Sequence, residues 1–313
     1  MNFRDKTPRA SRYNRQMFLA CLFPLALLTL SIPALTLSAH AQLSADIARI
    51  AGQAQGRVGV ACSLPDKDLD CDLNAGDPFP MQSVYKFPIA LATLHAVEEH
   101  HLHPHQQVRF LPSDLISPDQ ASPLRDAHPQ ANVDVSIQEL LHLAVSQSDG
   151  VASDILMRTL GGPGAVDEYI RHLGIHGIHI MDTEKALGAD VKLEDRNSAE
   201  PRAMVALLRL VADRSPLTPE HTLLLLEWMT ASHTGDHRIK ALLPPDTVVA
   251  DKTGTSGTSR STTNATNDVA LITLPDGRKL ALAIFVADSA APAATREQVI
   301  AQIAKAVYDA ATH

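Results

Sequence analysis

The chain has 313 residues, of which 45% are hydrophobic and 20% are charged, and its formal net charge is −8. The length fits one large or two small domains, and the apolar content excludes a disordered chain. The acidic balance argues against a general nucleic-acid binder, whose binding surface would be basic.

The first 41 residues have the pattern of a secretory signal peptide. Basic residues precede an almost wholly apolar run from Met17 to Leu37, and Ala39-His40-Ala41 supplies small residues for cleavage. An uncleaved membrane anchor is the alternative, since about 20 apolar residues can span a bilayer. Pro24, Pro33 and the cleavage pattern favour removal. We therefore expect a periplasmic or secreted protein with no membrane contact after cleavage near Ala41.

Two cysteines, Cys62 and Cys71, remain after this cleavage. They lie on strand-like segments on either side of a polar turn at Pro65–Asp68, so residues 56–76 are predicted to form a β-hairpin. Exported proteins reside in an oxidising compartment, which favours a disulfide between the two cysteines. Two free thiols are the alternative.

Helical periodicity dominates the middle of the chain. Helices are predicted over residues 83–99, 137–145, 151–160, 166–173, 200–213 and 219–230. Two polar segments, 111–135 and 181–198, lack this periodicity. They are predicted to be long surface connections, which often carry functional residues.

The C-terminal part changes to a strand pattern that ends in an amphipathic helix. Strands are predicted over residues 247–250, 267–274 and 279–287, with a hairpin turn at Pro275–Arg278. This order predicts an α/β fold of the α+β type, in which an antiparallel sheet from both chain ends is flanked by terminal helices and carries an inserted all-helical domain. We assign residues 42–78 and 232–313 to the sheet domain and residues 79–231 to the helical domain.

Ser83 and Lys86 form a Ser-x-x-Lys pattern at a predicted helix start. Residues three apart share one face of a helix, so the hydroxyl and the ammonium can meet. A serine needs a neighbouring base before it attacks a carbonyl, and a lysine can serve as that base. Alone, this short pattern is weak because it recurs by chance.

Two further motifs make the pattern specific. Ser148-Asp149-Gly150 follows a predicted helix, and Lys252-Thr253-Gly254 lies beside a predicted strand. Ser-x-x-Lys, Ser-Asp-Asn and Lys-Thr-Gly, in this order, are typical of class A β-lactamases and penicillin-binding proteins. The sequence resembles that superfamily over most of the predicted mature chain. The segments Met81–Phe87, Thr253–Gly257 and Ala265–Asp268 are similar to the extended-spectrum branch that contains PER-type enzymes.

The resemblance implies acyl-enzyme chemistry and assigns its residues. Ser83 would be the nucleophile, Lys86 a base, and Ser148 the relay of a proton to the leaving nitrogen. A class A enzyme also uses a loop glutamate to activate the water that releases the acyl group. Glu184 has the matching position and Glu194 is the fallback, with a solvated loop carboxylate as the alternative. Whether Lys86 or Glu184 accepts the proton during acylation stays open.

The resemblance also implies substrate contacts. The backbone N–H groups of Ser83 and Thr255 would form an oxyanion hole. The substrate-binding residues would be Lys252, Thr253, Gly254, Thr255, Ser256 and Arg238, with Thr258 at the edge of the pocket. A surface arginine is the open alternative for Arg238, and Asp149 is expected to be structural.

Two glycines depart from the family's pattern. Gly150 stands where the family has an asparagine that contacts the lysine and the substrate, so we expect slower acylation or a shifted substrate range. Gly188 stands where many class A enzymes have an asparagine that helps to hold the hydrolytic water.

We therefore expect a serine β-lactamase, a hydrolase acting on cyclic amides, that binds a small β-lactam, works as a monomer and needs no cofactor or metal. The alternatives are a D-alanyl-D-alanine peptidase or transpeptidase, and a non-hydrolytic penicillin-binding sensor. Histidines cluster between His95 and His105, but no interleaved acid completes a zinc-binding pattern, so a solvated helix end is favoured.

Overall fold

The computed structural model describes residues 42–259 and 262–313, and the predicted signal peptide lies outside them. The helices, in chain order, are α1 (42–51), α2 (Lys86–Glu98), α3 (Pro123–Ala127), α4 (Ile137–Ser146), α5 (Gly150–Leu160), α6 (Pro163–His172), α7 (Glu184–Ala189), α8 (Pro201–Arg214), α9 (Pro219–Thr230) and α10 (Ala293–Thr312). The strands are β1 (Arg57–Ser63), β2 (Phe79–Pro80), β3 (Gln107–Phe110), β4 (Val133–Ser136), β5 (Ile178–His179), β6 (Ser198–Ala199), β7 (Val249–Thr255), β8 (Thr258–Ser259), β9 (Thr262–Thr273) and β10 (Lys279–Ser289). Within these ranges, no helix has the length and apolar character needed to cross a membrane.

Segments from both ends of the described chain form one antiparallel sheet. Its strand order is β1-β10-β9-β7, and β8 pairs with β9. Arg57 of β1 lies opposite Ala287 of β10, and Thr255 of β7 lies opposite Thr266 of β9. The predicted fold class, with its antiparallel sheet from both chain ends, is confirmed.

Helices cover both faces of this sheet. In β10, Leu282 and Ile284 pack into the cluster that contains residues of α1 and α10, whereas Ala283 and Phe285 pack into the cluster around α2. Successive side chains of a strand point to opposite faces, so a strand that is covered on both sides is apolar throughout. This explains why the sequence of β10 shows no alternation. The division into two domains, at residues 78 and 231, stays a prediction.

Helix α2 lies inside the helical region and holds the serine motif in place. It is apolar on all sides, which is typical of a fully buried helix, and it packs against α4, α5 and α6. A short 3₁₀ turn, Gln82–Tyr85, leads into it. Ser83 therefore lies in the turn before α2, whereas the sequence pattern placed it on the helix itself.

The predicted hairpin over residues 56–76 is wrong in its second strand. Only an isolated bridge joins Val60 to Leu73, and the long partner of β1 is β10. The intervening segment is polar and turn-rich, so it has few apolar side chains to bury beside β1. The predicted disulfide between Cys62 and Cys71 is present, with the two Cα atoms 6.1 Å apart.

The predicted connection over residues 111–135 contains more regular structure than its composition indicates. It includes α3 and the start of β4, which pairs with β3. Both strands alternate polar and apolar residues, but over only four residues each, and this run is too short to distinguish a strand from the polar connection around it. The second predicted connection, residues 181–198, contains the short helix α7.

Candidate active site

The serine turn lies directly against strand β7. A Cβ atom on Gly254 would be 2.2 Å from the carbonyl oxygen of Met81, so only glycine allows this approach without a shift of the backbone. The Asn267 side chain on β9 donates hydrogen bonds to the carbonyl oxygens of Pro80, at 2.8 Å, and Met81, at 3.1 Å. These contacts join the sheet to the turn that carries Ser83.

Lys86 links the predicted nucleophile to the predicted deacylating base. Its Nζ lies 2.6 Å from Ser83 Oγ, 3.2 Å from Glu184 Oε2 and 3.1 Å from the carbonyl oxygen of Ser148. The lysine side chain is only 1% exposed, so its three donors are all directed at protein oxygens. The structure thus brings Ser83, Lys86, Ser148 and Glu184 into one cluster.

Glu184 begins helix α7, and the surrounding protein fixes both its backbone and its carboxylate. The backbone N–H groups of Glu184 and Lys185 donate to the two carboxylate oxygens of Asp154, at 2.7 and 2.9 Å. Tyr85 donates its hydroxyl to Glu184 Oε2 at 2.6 Å. Burial raises the pKa of Glu184, but the charge of Lys86 and the hydrogen bond from Tyr85 outweigh burial and lower that pKa. Glu184 is therefore an anionic carboxylate at neutral pH.

Ser148 lies between two ammonium groups. Lys86 binds its carbonyl oxygen, and Lys252 donates to its Oγ at 2.9 Å. Burial, and then the nearby charge of Lys86, lower the pKa of Lys252 to about 7. Asp149 caps helix α5 and accepts a hydrogen bond from the Ser122 hydroxyl at 2.7 Å. These contacts fit the structural role that the sequence predicts for it.

Arg238 lies beneath β7 and not on the surface. It is 5% exposed, and its guanidinium donates to the carbonyl oxygens of Gly254 and Asn267. It also donates to Thr255 Oγ1 at 2.7 Å. The alternative of a surface arginine is wrong. Arg238 contacts the Thr255 hydroxyl, and Thr255 lines the cavity. Thr253 is also buried and contacts the Thr234 hydroxyl at 2.7 Å.

A cavity of about 480 Å³ opens beside this cluster. Its lining includes Ser83, Lys86, Ser148, Glu184, Thr255 and Ser256. The cavity lining does not include Lys252, Thr253 or Gly254. Lys252 and Thr253 are buried in β7. Glu194, the fallback glutamate, lies at the same cavity but bonds to Asn264 at 2.9 Å, whereas Glu184 contacts Lys86. The Thr258 side chain lies outside what the structure describes.

Neighbouring side chains occupy the space beside both unusual glycines. A Cβ atom on Gly150 would be 2.7 Å from Ile116 Cδ1 and 2.8 Å from Glu184 Cγ. A Cβ atom on Gly188 would be 2.2 Å from Gln120 Oε1. The backbone φ angle of neither glycine lies in the left-handed region, so a larger residue at either position would meet the neighbouring side chains and not backbone strain.

Sequence reasoning missed three residues of the cluster: Tyr85, Gln120 and Asp154. Tyr85 stands at an unspecified position inside the Ser-x-x-Lys motif, and Gln120 lies in a segment without a motif. Asp154 did give a signal, because it is the one charged residue between Val151 and Met157. An acid on a buried helix face requires hydrogen-bond partners.

His95, the first of the clustered histidines, has an aromatic partner. His95 stacks on Tyr169, with the ring centroids 4.9 Å apart. Over residues 42–259 and 262–313, no group of three or more His, Cys, Asp or Glu side chains is placed to hold a metal ion.

The chain thus combines an antiparallel sheet with a helical region and holds Ser83, Lys86 and Glu184 in one cluster at the cavity. The chain belongs to the β-lactamase enzyme family, whose sequence model matches residues 42–311. It is 38% identical over 251 residues to the extended-spectrum β-lactamase PER-1 of Pseudomonas aeruginosa, which covers 80% of this chain and 81% of that protein. It is 34% identical to β-lactamase VEB-1 of the same organism, over 81% of this chain and 85% of that protein.

A solved structure has the same fold. The extended-spectrum β-lactamase TLA-1 superposes with a TM-score of 0.84 at 36% identity, and the match covers 88% of this chain and 100% of that one. The resemblance to class A β-lactamases and to their PER-like branch is confirmed.

Proposed function

We propose that this chain is a β-lactamase that hydrolyses the cyclic amide of penicillins and cephalosporins through an acyl-enzyme on Ser83. The observation that carries the proposal is the continuous contact from Ser83 Oγ to Lys86 Nζ, 2.6 Å, and on to Glu184 Oε2, 3.2 Å. A nucleophile and two candidate bases thus share one hydrogen-bonded cluster at the cavity.

In the proposed acylation step, Ser83 Oγ attacks the β-lactam carbonyl carbon, and its proton is accepted either by Glu184 or by Lys86 after Lys86 has passed its own proton to Glu184. The backbone N–H groups of Ser83 and Thr255 stabilise the oxyanion. The ring C–N bond then breaks, and the Ser148 hydroxyl passes a proton to the leaving nitrogen. The 2.9 Å contact from Lys252 to Ser148 Oγ supports this relay, because a nearby cation favours loss of the hydroxyl proton.

In the proposed deacylation step, a water attacks the ester carbonyl while Glu184 accepts the water's proton. The bond between the carbonyl carbon and Ser83 Oγ breaks, and the proton held by Glu184 returns to the serine oxygen through Lys86, which contacts both groups. The lowered pKa of Glu184 supports this assignment, because a general base must be deprotonated when the reaction begins.

The proposed recognition of the substrate uses the β7 side of the cavity. A carboxylate on the β-lactam would bind near Lys252, Thr253 and Thr255, with Gly254 and Ser256 on the same segment. Arg238 adds a second positive charge behind Thr255, since its Nη2 lies 2.7 Å from the Thr255 hydroxyl. Because Gly150 offers no side-chain amide, we retain the expectation of slower acylation or a shifted substrate range.

We also propose that residues 1–41 direct export and are removed, so that the enzyme acts in the periplasm or outside the cell. The family match begins at residue 42, which supports cleavage near Ala41. We propose further that the enzyme is a monomer without a cofactor, since the proposed steps use only groups of this chain and water, and that it binds no nucleic acid, since its formal net charge is −8.

Mass spectrometry of the purified protein with a chromogenic cephalosporin tests the proposal. We expect turnover that regenerates free enzyme, no adduct and no turnover with Ser83→Ala, and a lasting Ser83 adduct with Glu184→Gln. Glu194→Gln separates the two glutamates and is expected to release the acyl group. A lasting adduct on the unchanged protein would favour the sensor, and release of D-alanine from a peptide would favour the peptidase.

A further inference from the structure

Gln120 contacts the predicted deacylating glutamate from the side opposite Lys86. Its Nε2 donates to the backbone carbonyl oxygen of Glu184 at 2.5 Å and lies 3.4 Å from Glu184 Oε1. Tyr85 and Lys86 both bind the other carboxylate oxygen, Oε2. Gln120 thus contacts the oxygen that these two residues do not bind.

The Gln120 side chain is itself held in one orientation. Its Oε1 accepts the backbone N–H of Ser117 at 3.2 Å, which directs the NH₂ group toward Glu184. Arg125 donates to the backbone carbonyl oxygens of Ser117, at 2.6 Å, and Gln120, at 2.8 Å. The turn that carries the amide is therefore fixed before a substrate binds.

Gly188 supplies the space that the amide occupies. A Cβ atom at this position would be 2.2 Å from Gln120 Oε1 and 2.4 Å from its Cδ. The amide is the flexible end of a side chain, so even a methyl group at residue 188 would displace it and leave the backbone in place. The glycine and the glutamine therefore act as one unit.

We infer that Gln120 is a positioning residue for Glu184, and that its amide holds the carboxylate in the orientation that releases the acyl group from Ser83. The inference rests on the proposed function. A carboxylate held at one oxygen can rotate about its terminal bond, and a second contact restricts that rotation. A base must keep its productive geometry to within about 0.5 Å, which side-chain packing and supporting hydrogen bonds provide.

Gln120→Ala tests the positioning effect. We expect deacylation to slow about 10-fold, since a hydrogen bond to a charged group is lost. If Lys86 is the acylation base, acylation should change by less than about twofold, so that a deacylation-limited kcat and KM fall together while kcat/KM stays nearly constant; if Glu184 is the base for both steps, kcat/KM falls as well. The readout is the fraction of acyl-enzyme during turnover of a cephalosporin, together with its decay after the substrate is removed. Gln130→Ala, an exposed glutamine of the same segment, is the matched control.

Gln120→Glu tests the same contact at nearly constant shape. The new carboxylate keeps an acceptor for the Ser117 N–H but places a negative charge beside Glu184, which raises the pKa of Glu184. The acid limb in the pH profile of the deacylation rate should therefore move up by about one pH unit or more. The variant leaves unchanged the other titratable groups that act on Glu184: Lys86, Tyr85, Asp154, Lys252 and Glu194. A limb that stays where it is would mean that residue 120 does not contact the Glu184 carboxylate in the enzyme, and would overturn the inference.

Gly188→Ala tests the coupling. We expect it to slow deacylation as much as Gln120→Ala does, and the double variant should be no slower than either single one. Gly164→Ala, where a Cβ meets nothing within 4 Å, controls for the added methyl group.

The outcomes separate the inference from the proposed function. If the unchanged protein forms no acyl-enzyme, the proposed function fails. If it turns over and Gln120→Ala releases the acyl group at the unchanged rate, only the inference fails. The inference also fails if the two single substitutions slow deacylation independently, so that their factors multiply in the double variant. Should Gln120→Ala not fold, the pH profile of Gln120→Glu decides.

Discussion

The two sides of the cavity are held in place in different ways. On one side, β7 pairs with β9 residue by residue from Val249 to Thr255, and Gly254 packs on the serine turn. On the other side, Glu184 lies on a six-residue helix within an irregular segment. Side chains hold that segment: Asp154 binds two of its N–H groups, and the Asn197 side chain accepts from Met181 and Asp182.

This difference separates residues that act directly from residues that act through others. Along β7, the backbone is fixed by main-chain hydrogen bonds, so a side-chain substitution changes a contact but not the position of the strand. Around Glu184, the backbone position depends on single side chains from distant parts of the sequence. A substitution outside the cavity can therefore move the proposed base.

Asp154→Ala is expected to have the largest effect of the changes considered next. It removes the acceptor of the Glu184 and Lys185 N–H groups, so the start of α7 can shift and carry the base with it. A displacement of about 1 Å can cost about 100-fold in rate. We expect deacylation to slow by about that factor, measured as the decay of the Ser83 acyl-enzyme.

Asp190→Ala is the matched control for this variant. Asp190 also accepts a backbone N–H in the same segment, that of Lys192 at 3.0 Å, but it is exposed and lies away from Glu184. Its loss should leave deacylation within about twofold, as is usual for an exposed contact. If Asp154→Ala also releases the acyl group at the unchanged rate, the position of this segment does not depend on that side chain.

The same difference explains which parts of the site the sequence predicts. Ser83 and Lys86 are three residues apart at a helix start, and Lys252 to Thr255 follow one another on a strand, so local geometry alone brings these groups together. The contact between Lys86 and Glu184 joins residues 98 positions apart. The position of Glu184 was predicted from family resemblance and not from spacing.

Gln120 and the filled space at Gly188 could not be predicted, because both depend on where the two segments predicted as long connections, 111–135 and 181–198, meet. Asp154 gave a signal as a lone acid on an apolar helix, but its partners, the Glu184 and Lys185 N–H groups, depend on the same packing. The same limit applies to the fold. The apolar runs within the long strands β9 and β10 are recognisable, whereas β3 and β4 alternate polar and apolar residues over only four positions each, which is too short a run to identify a strand. The buried environment of Arg238 depends on contacts with Gly254, Asn267 and Thr255, of which none is close in sequence.

A pH profile tests the β7 side directly. Burial and the charge of Lys86 lower the pKa of Lys252 to about 7, so this residue loses its positive charge as the pH rises through that value. We expect kcat/KM for a carboxylate-bearing β-lactam to fall above about pH 7, approaching tenfold per pH unit, because kcat/KM reports the free enzyme.

Lys252→Arg keeps the charge at every accessible pH and should remove this alkaline limb, although its different shape lowers the maximum. The methyl ester of the same β-lactam, which lacks the carboxylate, is the matched substrate and should show no such limb with the unchanged protein. A limb that persists in Lys252→Arg would assign the titration to another group.

The smallest effect on activity is expected at the opposite edge of the same sheet. The Cys62–Cys71 disulfide ties β1 to the segment that follows it, and β1 and β7 are separated by β10 and β9. The bridge closes a short loop, with a sequence separation of 9, so the double variant Cys62→Ser/Cys71→Ser should lower the free energy of unfolding by about 2–3 kcal/mol.

Because hydrogen bonds to β9 hold β7 in place, kcat/KM of the double variant should stay within about twofold below the unfolding transition. Urea unfolding and cephalosporin hydrolysis on the same samples measure both quantities. A large loss of activity in the folded variant would mean that β7 depends on β1 as well as on β9.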